Sequence, residues 1–483
     1  MRAQSRFCAR FFVCFLGISR GVFAGCPDGD VAEDKLKAWL PNTPMPSYDV
    51  TPPSHREQGG DCPFYIQSWH NFMYSTLPDE NGRAAFLSFP TIANLFEGEP
   101  VSSELLAVAP RSIQMPNDAS IFSVNAFLSR IAGPATPIDA GIEQAGNAAI
   151  LFDQLGFPIY YGIHVNDGFA AFLQDNGLTD KTAIESANAD LMFPEGVVEL
   201  KSAWRVLPGE SLEDTYITTM GRVPILRIDA SGHEKRIRID PIRSRRVKLG
   251  LVALHVVFTI RGHPEFIWST FEHSDLTGNT DLAPSAADNP DGNVFDPTAA
   301  ISPYDYLLYH GGASASAAEF PPTFGEQAAA FNEATQRLDR GGAFPASVYR
   351  AYPSAKADTI EFDEDLTEVN AFILEQFLDG VLPAADKRKY YRLVGATWLD
   401  EPDKTFLVDK SFDNDPGQSS DDGIVAGEAR LSSTAMESWT QTIQPNCFSC
   451  HDTHAVTTSG GDIILNPKRL NVSHILSKYV GEH

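Results

Sequence analysis

Two cysteines and a histidine near the end of the chain have the spacing of a chemical site. They are Cys447, Cys450 and His451, in the run Cys-Phe-Ser-Cys-His. Thiols at this spacing can form thioether bonds with the two vinyl groups of one haem, and the adjacent imidazole can bind the iron as proximal ligand. A thioredoxin-like dithiol would give His451 no role, and half of a zinc site would need a second cysteine or histidine pair. We therefore expect one covalent haem c (heme c) at these residues.

The second axial ligand of that iron is left open by the sequence. No methionine follows His451 and only 32 residues remain after it, so this is not a small cytochrome c with its motif at the N-terminus. The candidates are His474, the upstream Met436, and a histidine of the main body such as His255 or His273. A closed iron favours electron transfer, whereas an open iron favours catalysis.

The first 24 residues differ in composition from the rest of the chain. Three arginines precede an apolar run at 11–18, and Ala24 supplies a small residue for cleavage. This pattern is typical of a secretory signal peptide, which is too short to span a membrane stably. We expect export to the periplasm. The alternative is lipoprotein anchoring, because Gly25-Cys26 also resembles a lipoprotein cleavage site.

The net charge indicates which classes of partner the protein can bind, and the cysteines bear on whether its compartment is oxidising. The net charge is −26, and removing the leader with its four arginines leaves about −30. So acidic a surface argues against nucleic acid and anionic lipid, and for a redox partner protein or a small-molecule substrate. No other stretch is long and apolar enough for a transmembrane span. Outside the motif, Cys26 and Cys62 can form a disulfide in an oxidising compartment, with free thiols as the alternative.

The distribution of apolar residues predicts an α+β fold in four parts. These are a signal peptide (1–24), an irregular N-terminal arm (25–60), a body (61–400) and a C-terminal haem c-binding segment (401–483). In the body, the sequence predicts strands at Val197–Val206, Thr215–Thr219, Val223–Ile228, Lys235–Ile239, Val247–Ile260 and Tyr390–Leu399. Turn residues separate the strands between 197 and 270 at short spacing, which favours a sandwich- or barrel-like core with peripheral helices. The C-terminal segment is predicted to be helical, with a helix at about Ser432–Thr442 before the motif.

Several polar residues of the body allow two structural interpretations each. Glu272 and His273 place a carboxylate and an imidazole beside Trp268, where they could line a haem or form a packed corner. Lys201 alternates with neighbours in an apolar strand, which favours exposure to solvent over pairing with an acid. The basic residues between 235 and 248 could neutralise haem propionates or form a solvated strand face.

Segments spread over most of the mature chain carry a resemblance to a known family. They are Cys62-Pro63-Phe64-Tyr65 with Ser68-Trp69 and Phe72, then 198–204, 251–255, 266–273, 393–396, 433–438 and 446–451. Together they resemble a bacterial family of large monohaem cytochrome c proteins, most of them uncharacterised. The resemblance implies a haem-binding periplasmic protein and implies no substrate.

Two functions follow as expectations. The first is an exported, periplasmic monohaem c-type cytochrome that transfers single electrons. The second is a haem enzyme, peroxidase- or oxygenase-like, with a substrate pocket in the β-rich body. The second is motivated by size, because about 400 residues beyond the haem segment exceed what electron carriage needs, and large pockets belong to large folds. The sequence leaves open whether the chain is an enzyme.

Overall fold

A computed structural model describes most of the body and of the C-terminal segment. The described residues are 40, 43–48, 61–80, 82–96, 150–209, 214–233, 235–273, 287–288, 298, 300–314, 322–339, 348–351, 364–378, 380–412, 424–428, 430–441, 446–457 and 461–482. The predicted signal peptide, Cys26 and most of the predicted N-terminal arm lie outside these residues, so the predictions about them stay predictions.

An antiparallel sheet forms the centre of the fold. The strands are β1 (Tyr160–Val165), β2 (Val198–Val206), β3 (Thr218–Asp229), β4 (Arg236–Ile260), β5 (His263–His273), β6 (Ala287–Asp288), β7 (Phe331–Asn332), β8 (Arg337–Leu338), β9 (Tyr349–Arg350), β10 (Tyr391–Leu399), β11 (Val425–Gly427), β12 (Val456–Thr457) and β13 (Ile463–Leu465). Seven of them make one sheet in the order β1-β2-β4-β5-β10-β11, and β3 pairs with the first part of the long β4. The pairs β6–β9, β7–β8 and β12–β13 form separate two-stranded sheets.

The α-helices of the described residues are short, with 4 to 15 residues each. They are α1 (Cys62–Ser75), α2 (Ile92–Phe96), α3 (Asp167–Asp175), α4 (Lys181–Ser186), α5 (Phe324–Ala330), α6 (Glu364–Leu378), α7 (Pro402–Thr405) and α8 (His474–Glu482). Among the helices in the described part of the chain, none combines the length and the apolar character that a bilayer crossing requires.

One face of the sheet packs against α1 and α6. Leu200, Val256 and Phe258 alternate with residues of the other face and lie in this core, because side chains of a strand point to opposite faces in turn. Phe72 of α1 stacks on Phe271 of β5 with ring centroids 4.2 Å apart. The main apolar core therefore lies between these two helices and the sheet.

The opposite face is covered by α3 and by the C-terminal chain. Phe169 of α3 shares an apolar cluster with Phe448, Val472 and Ile475, and Val257 of β4 belongs to the same cluster. Apolar contacts thus hold the segment with the predicted haem motif directly on the sheet.

The α+β class is confirmed, with a large antiparallel sheet and few helices. In the described residues the seven strands form one open sheet rather than the sandwich- or barrel-like core that the spacing of strands favoured. The predicted helix at Ser432–Thr442 is a series of turns where it is described. Cys62 is buried at the start of α1 and Cys26 lies outside the described residues, so a disulfide between them stays a prediction.

Candidate functional site

The Cys-x-x-Cys-His motif occupies a short capped turn. Residues Cys447–Ser449 form a 3₁₀ helix, and the Asn446 side chain accepts a hydrogen bond from the Ser449 backbone N–H at 3.1 Å. The His451 backbone N–H donates to the Cys447 carbonyl at 3.0 Å. Cys447 and Cys450 are free thiols and half-buried. The motif residues are therefore held in one compact segment, as the sequence predicts for a site.

A cavity that is open to solvent lies between the motif and the sheet. The motif side contributes Cys447, Cys450 and His451, together with Glu437 and His474. The sheet side contributes seven residues: Ile163, Glu199, Lys201, His255, Val257, Trp268 and Ser269.

The register of the sheet explains how the polar groups of the cavity wall come together. Lys201 of β2 lies opposite His255 of β4, which in turn lies opposite Thr270 of β5. One row further on the same face, Glu199 and Trp268 flank β4 from either side. Because residues two apart on a strand share a face, three strands contribute these groups to one surface.

His451 is oriented as a metal-binding histidine would be. Its Nδ1–H donates to the Val472 carbonyl at 2.8 Å, so the neutral ring carries its lone pair on Nε2, which makes no hydrogen bond to the described residues. The ring contacts Trp268 with centroids 4.0 Å apart. Burial, followed by the nearby charge of His474, holds the pKa of His451 well below its usual value. The imidazole is thus neutral, as iron binding requires.

The thiol chemistry of the motif differs from that of a redox dithiol. Burial, the Glu437 carboxylate and Cys450 raise the pKa of Cys447 well above its usual value. Catalytic dithiols instead have a thiol whose pKa is lowered, because the thiolate is the nucleophile. The environment of Cys447 therefore argues against the hypothesis that the two cysteines form a thioredoxin-like redox dithiol.

The two distal ligands favoured by the sequence do not stand across the cavity from His451. His474 stacks on His451 with ring centroids 3.9 Å apart and an interplanar angle of 21°. Its Nε2–H donates to the Cys450 carbonyl at 3.1 Å, and burial lowers the pKa of His474 to about 4. Met436 is fully buried in an apolar cluster with Ala435 and does not line the cavity.

A carboxylate–imidazole pair lies in the same cavity. The His255 Nε2–H donates to Glu437 at 3.1 Å, and its Nδ1 lies 2.9 Å from the Thr270 hydroxyl. Glu437 also accepts the Ser433 backbone N–H at 2.6 Å. Burial alone would raise the pKa of Glu437, but the charge and hydrogen bond of His255, the charge of Lys201 and the Ser433 amide lower it. Glu437 is therefore an anion.

A second carboxylate lines the wall beside Lys201. The Ser473 hydroxyl donates to Glu199 at 2.8 Å. Burial raises the pKa of Glu199 to about 7, although the hydrogen bond from Ser473 and the charge of Lys201 oppose the shift. The sequence favoured a solvent-facing Lys201, whereas the structure places this half-buried side chain in the wall of the cavity.

The remaining site candidates from the sequence analysis lie in different parts of the fold. Trp268 lies in the cavity, but Glu272 is buried in an ion pair with Arg350. His273 stacks on Tyr216 with centroids 4.0 Å apart, and burial lowers its pKa to about 3. No basic residue between 235 and 248 lines the cavity. Glu437 was missed by the sequence reasoning, although it lies ten residues before Cys447 in a segment that carries the family resemblance.

The residues present fit a covalently attached haem. Two thiols that form no disulfide and an imidazole with its Nδ1–H anchored line one cavity. In the described part of the chain, no group of three or more His, Cys, Asp or Glu side chains converges as a metal site. A haem iron needs no such group, because the porphyrin supplies four of its ligands.

Comparisons with protein-family models, with curated proteins and with solved structures find no match to this chain.

Proposed function

We propose that this chain is an exported, periplasmic monohaem c-type cytochrome that transfers single electrons. Cys447 and Cys450 would hold the haem through thioether bonds, and His451 would be its proximal ligand. The observation that carries the proposal is the His451 ring, whose Nδ1–H is fixed on the Val472 carbonyl beside two free thiols. That arrangement leaves Nε2 as the nitrogen for iron.

The haem would supply a metal centre that changes its charge by one electron, and the chain would do the rest. Trp268 packs against His451 and limits rotation of the imidazole. The hydrogen bond to Val472 keeps the ring in the tautomer that can bind a metal. The apolar cluster around Phe448 anchors the predicted haem-binding segment (401–483) to the sheet and limits access of water. The acidic surface favours a redox partner that is basic or neutral.

A redox titration of the purified, exported protein tests this function. Its visible spectrum should change along a one-electron Nernst curve, and the ferrous protein should transfer electrons rapidly to a small artificial acceptor. His451→Ala should abolish the native spectrum. The matched control is His454→Ala, because His454 lies three residues away, is largely exposed and pairs with Asp409 at the surface. A protein that takes up no electron, or a His451→Ala variant with an unchanged spectrum, contradicts the proposal.

A second candidate function is a peroxidase- or oxygenase-like haem enzyme. The observation that favours it is the His255–Glu437 pair in the wall of the cavity, because a positioned imidazole or carboxylate can transfer protons to a small ligand. In this case the iron would keep an open position. Rapid binding of carbon monoxide to the ferrous protein and of peroxide to the ferric protein would favour the enzyme, and failure of both to bind would exclude it.

A further inference from the structure

Histidines in the wall of the cavity limit the choice of a second axial ligand. Among the residues that the structure describes, His255, His451 and His474 line it. The rings of His451 and His474 are in direct contact, which leaves no room for a porphyrin between them. The two ligands of a six-coordinate haem bind opposite faces of one porphyrin. His474 as placed is therefore a neighbour of the proximal ligand and not its counterpart.

His255 stands on the other wall of the cavity. It belongs to β4, in the middle of the sheet, whereas His451 belongs to the chain that covers the sheet. On the pleated surface His255 is a diagonal neighbour of Trp268, so their Cα atoms are about 7–8 Å apart. Trp268 in turn touches the His451 ring. The two histidines thus face one cavity from its two sides.

Both ring nitrogens of His255 lie within hydrogen-bond distance of a neighbouring side chain. One ring nitrogen, Nδ1, is held by the Thr270 hydroxyl at 2.9 Å, and the hydroxyl can accept as well as donate. The other nitrogen, Nε2, reaches Glu437, whose side chain is 19% exposed. Loss of that one contact would free Nε2 to bind a metal. Nδ1 would then donate to the Thr270 hydroxyl, as the Nδ1–H of His451 donates to the Val472 carbonyl.

We propose that His255 supplies the second axial ligand, so that the haem is held between the motif segment and the sheet by one histidine from each. The inference rests on the proposed function, because it requires a haem at Cys447 and Cys450. Thr270 is then a positioning residue that fixes the His255 ring. Glu437 is a nearby carboxylate that accepts from His255 when no metal is bound.

Spectra of the haem-loaded, full-length protein test this assignment. The ferric wild type should be low-spin with a near-infrared band typical of two imidazole ligands, and the ferrous form should not bind carbon monoxide. His255→Ala should turn the iron high-spin and allow carbon monoxide to bind. His474→Ala is the matched control and should keep the low-spin spectrum. A high-spin wild type, a low-spin His255→Ala, or loss of the low-spin spectrum in His474→Ala would each overturn the assignment.

Haem content, measured on the same samples, separates this inference from the proposed function. A wild type without covalent haem refutes the function itself, whereas a loaded protein that ignores the His255 substitution refutes the ligand assignment alone. If His255→Ala fails to fold, His255→Met serves instead. It retains a ligand for iron and should show the near-infrared band of histidine–methionine ligation, with a raised reduction potential. An unchanged band in His255→Met overturns the assignment.

Discussion

A buried ion pair decides how firmly the segment before the motif is held on the sheet. Glu272 of β5 and Arg350 of β9 are 0% and 1% exposed. The same carboxylate accepts the Thr434 backbone N–H at 2.8 Å. Thr434 lies three residues before Glu437, which lines the cavity. Arg350→Met would leave the Glu272 charge buried without its cationic partner beside this segment.

The burial of both groups sets the size of the effect. Removal of one partner of a buried ion pair destabilises a protein by about 3–5 kcal/mol, because an uncompensated charge stays in the interior. Addition of Glu272→Gln removes that charge and keeps an acceptor for Thr434. The double variant should therefore recover most of the loss, with a coupling energy of at least about 2 kcal/mol. The exposed pair Lys404–Glu401 supplies a control, because Lys404→Met should produce no measurable change.

Urea unfolding followed by tryptophan fluorescence measures these differences. Arg350→Met should lower the midpoint with an unchanged slope, and the double variant should return towards the wild type. Equal midpoints for wild type and Arg350→Met would refute the reasoning. So would a double variant as unstable as the sum of the two single variants.

Three further predictions concern the cavity wall, the sheet edge and the motif turn. Because burial raises the pKa of Glu199 to about 7 from 4.5, its contribution to stability is full below pH 4.5 and is lost as pH rises through 7. The free energy of unfolding of Glu199→Gln, relative to that of the wild type, should therefore rise by up to about 3 kcal/mol between pH 4.5 and pH 7, as measured by urea unfolding. A difference between the two proteins that does not change with pH would contradict this. Gly427→Ala should cost more than about 2 kcal/mol, since φ is +73° and a Cβ would lie 2.4 Å from the Ala396 carbonyl oxygen. Gly209→Ala, with nothing within 4 Å of the new Cβ, should unfold like the wild type, and equal losses in the two would refute the packing argument. Asn446→Ala should lose about 1 kcal/mol by removing the cap of the motif turn, and Asn446→Ser should restore stability if capping is the cause.

The central sheet could be predicted well from local patterns. The run Val197–Val206 was predicted within one residue of β2, and Tyr390–Leu399 within one residue of β10. Nearly every residue of both strands is buried, and apolar residues recur along each run on both faces, which marks each run as a strand despite its few charged residues. Two other predicted strands, Lys235–Ile239 and Val247–Ile260, are parts of the single strand β4. The residues between these two runs are polar and basic, so their sequence does not predict a strand. Their pairing with β3 holds them in the extended conformation.

Only the part of the candidate site that the Cys-x-x-Cys-His motif contributes could be predicted from the sequence. Cys447, Cys450 and His451 are adjacent in sequence, so their spacing alone indicates chemistry. Lys201 and His255 are 54 positions apart, and only the register of β2 against β4 brings them opposite each other. Register depends on which face is buried by the whole fold, and a single strand does not encode it.

The choice of His474 and Met436 as distal ligands shows the same limit. Both residues are close to the motif in sequence. In the fold, His474 packs on the side of His451, and Met436 enters an apolar cluster. A residue near the motif in sequence thus need not lie across the cavity from His451, whereas His255 reaches the cavity from a distant strand.

The most direct test of the central claim is the mass of the mature protein after export from cells with a working cytochrome c maturation system. We predict an increase by the mass of one haem, a pyridine haemochrome with the absorption of two thioether links, and a peptide carrying the haem on Cys447 and Cys450. Mature protein with the mass of the polypeptide alone, and with both thiols free to react, would contradict the account.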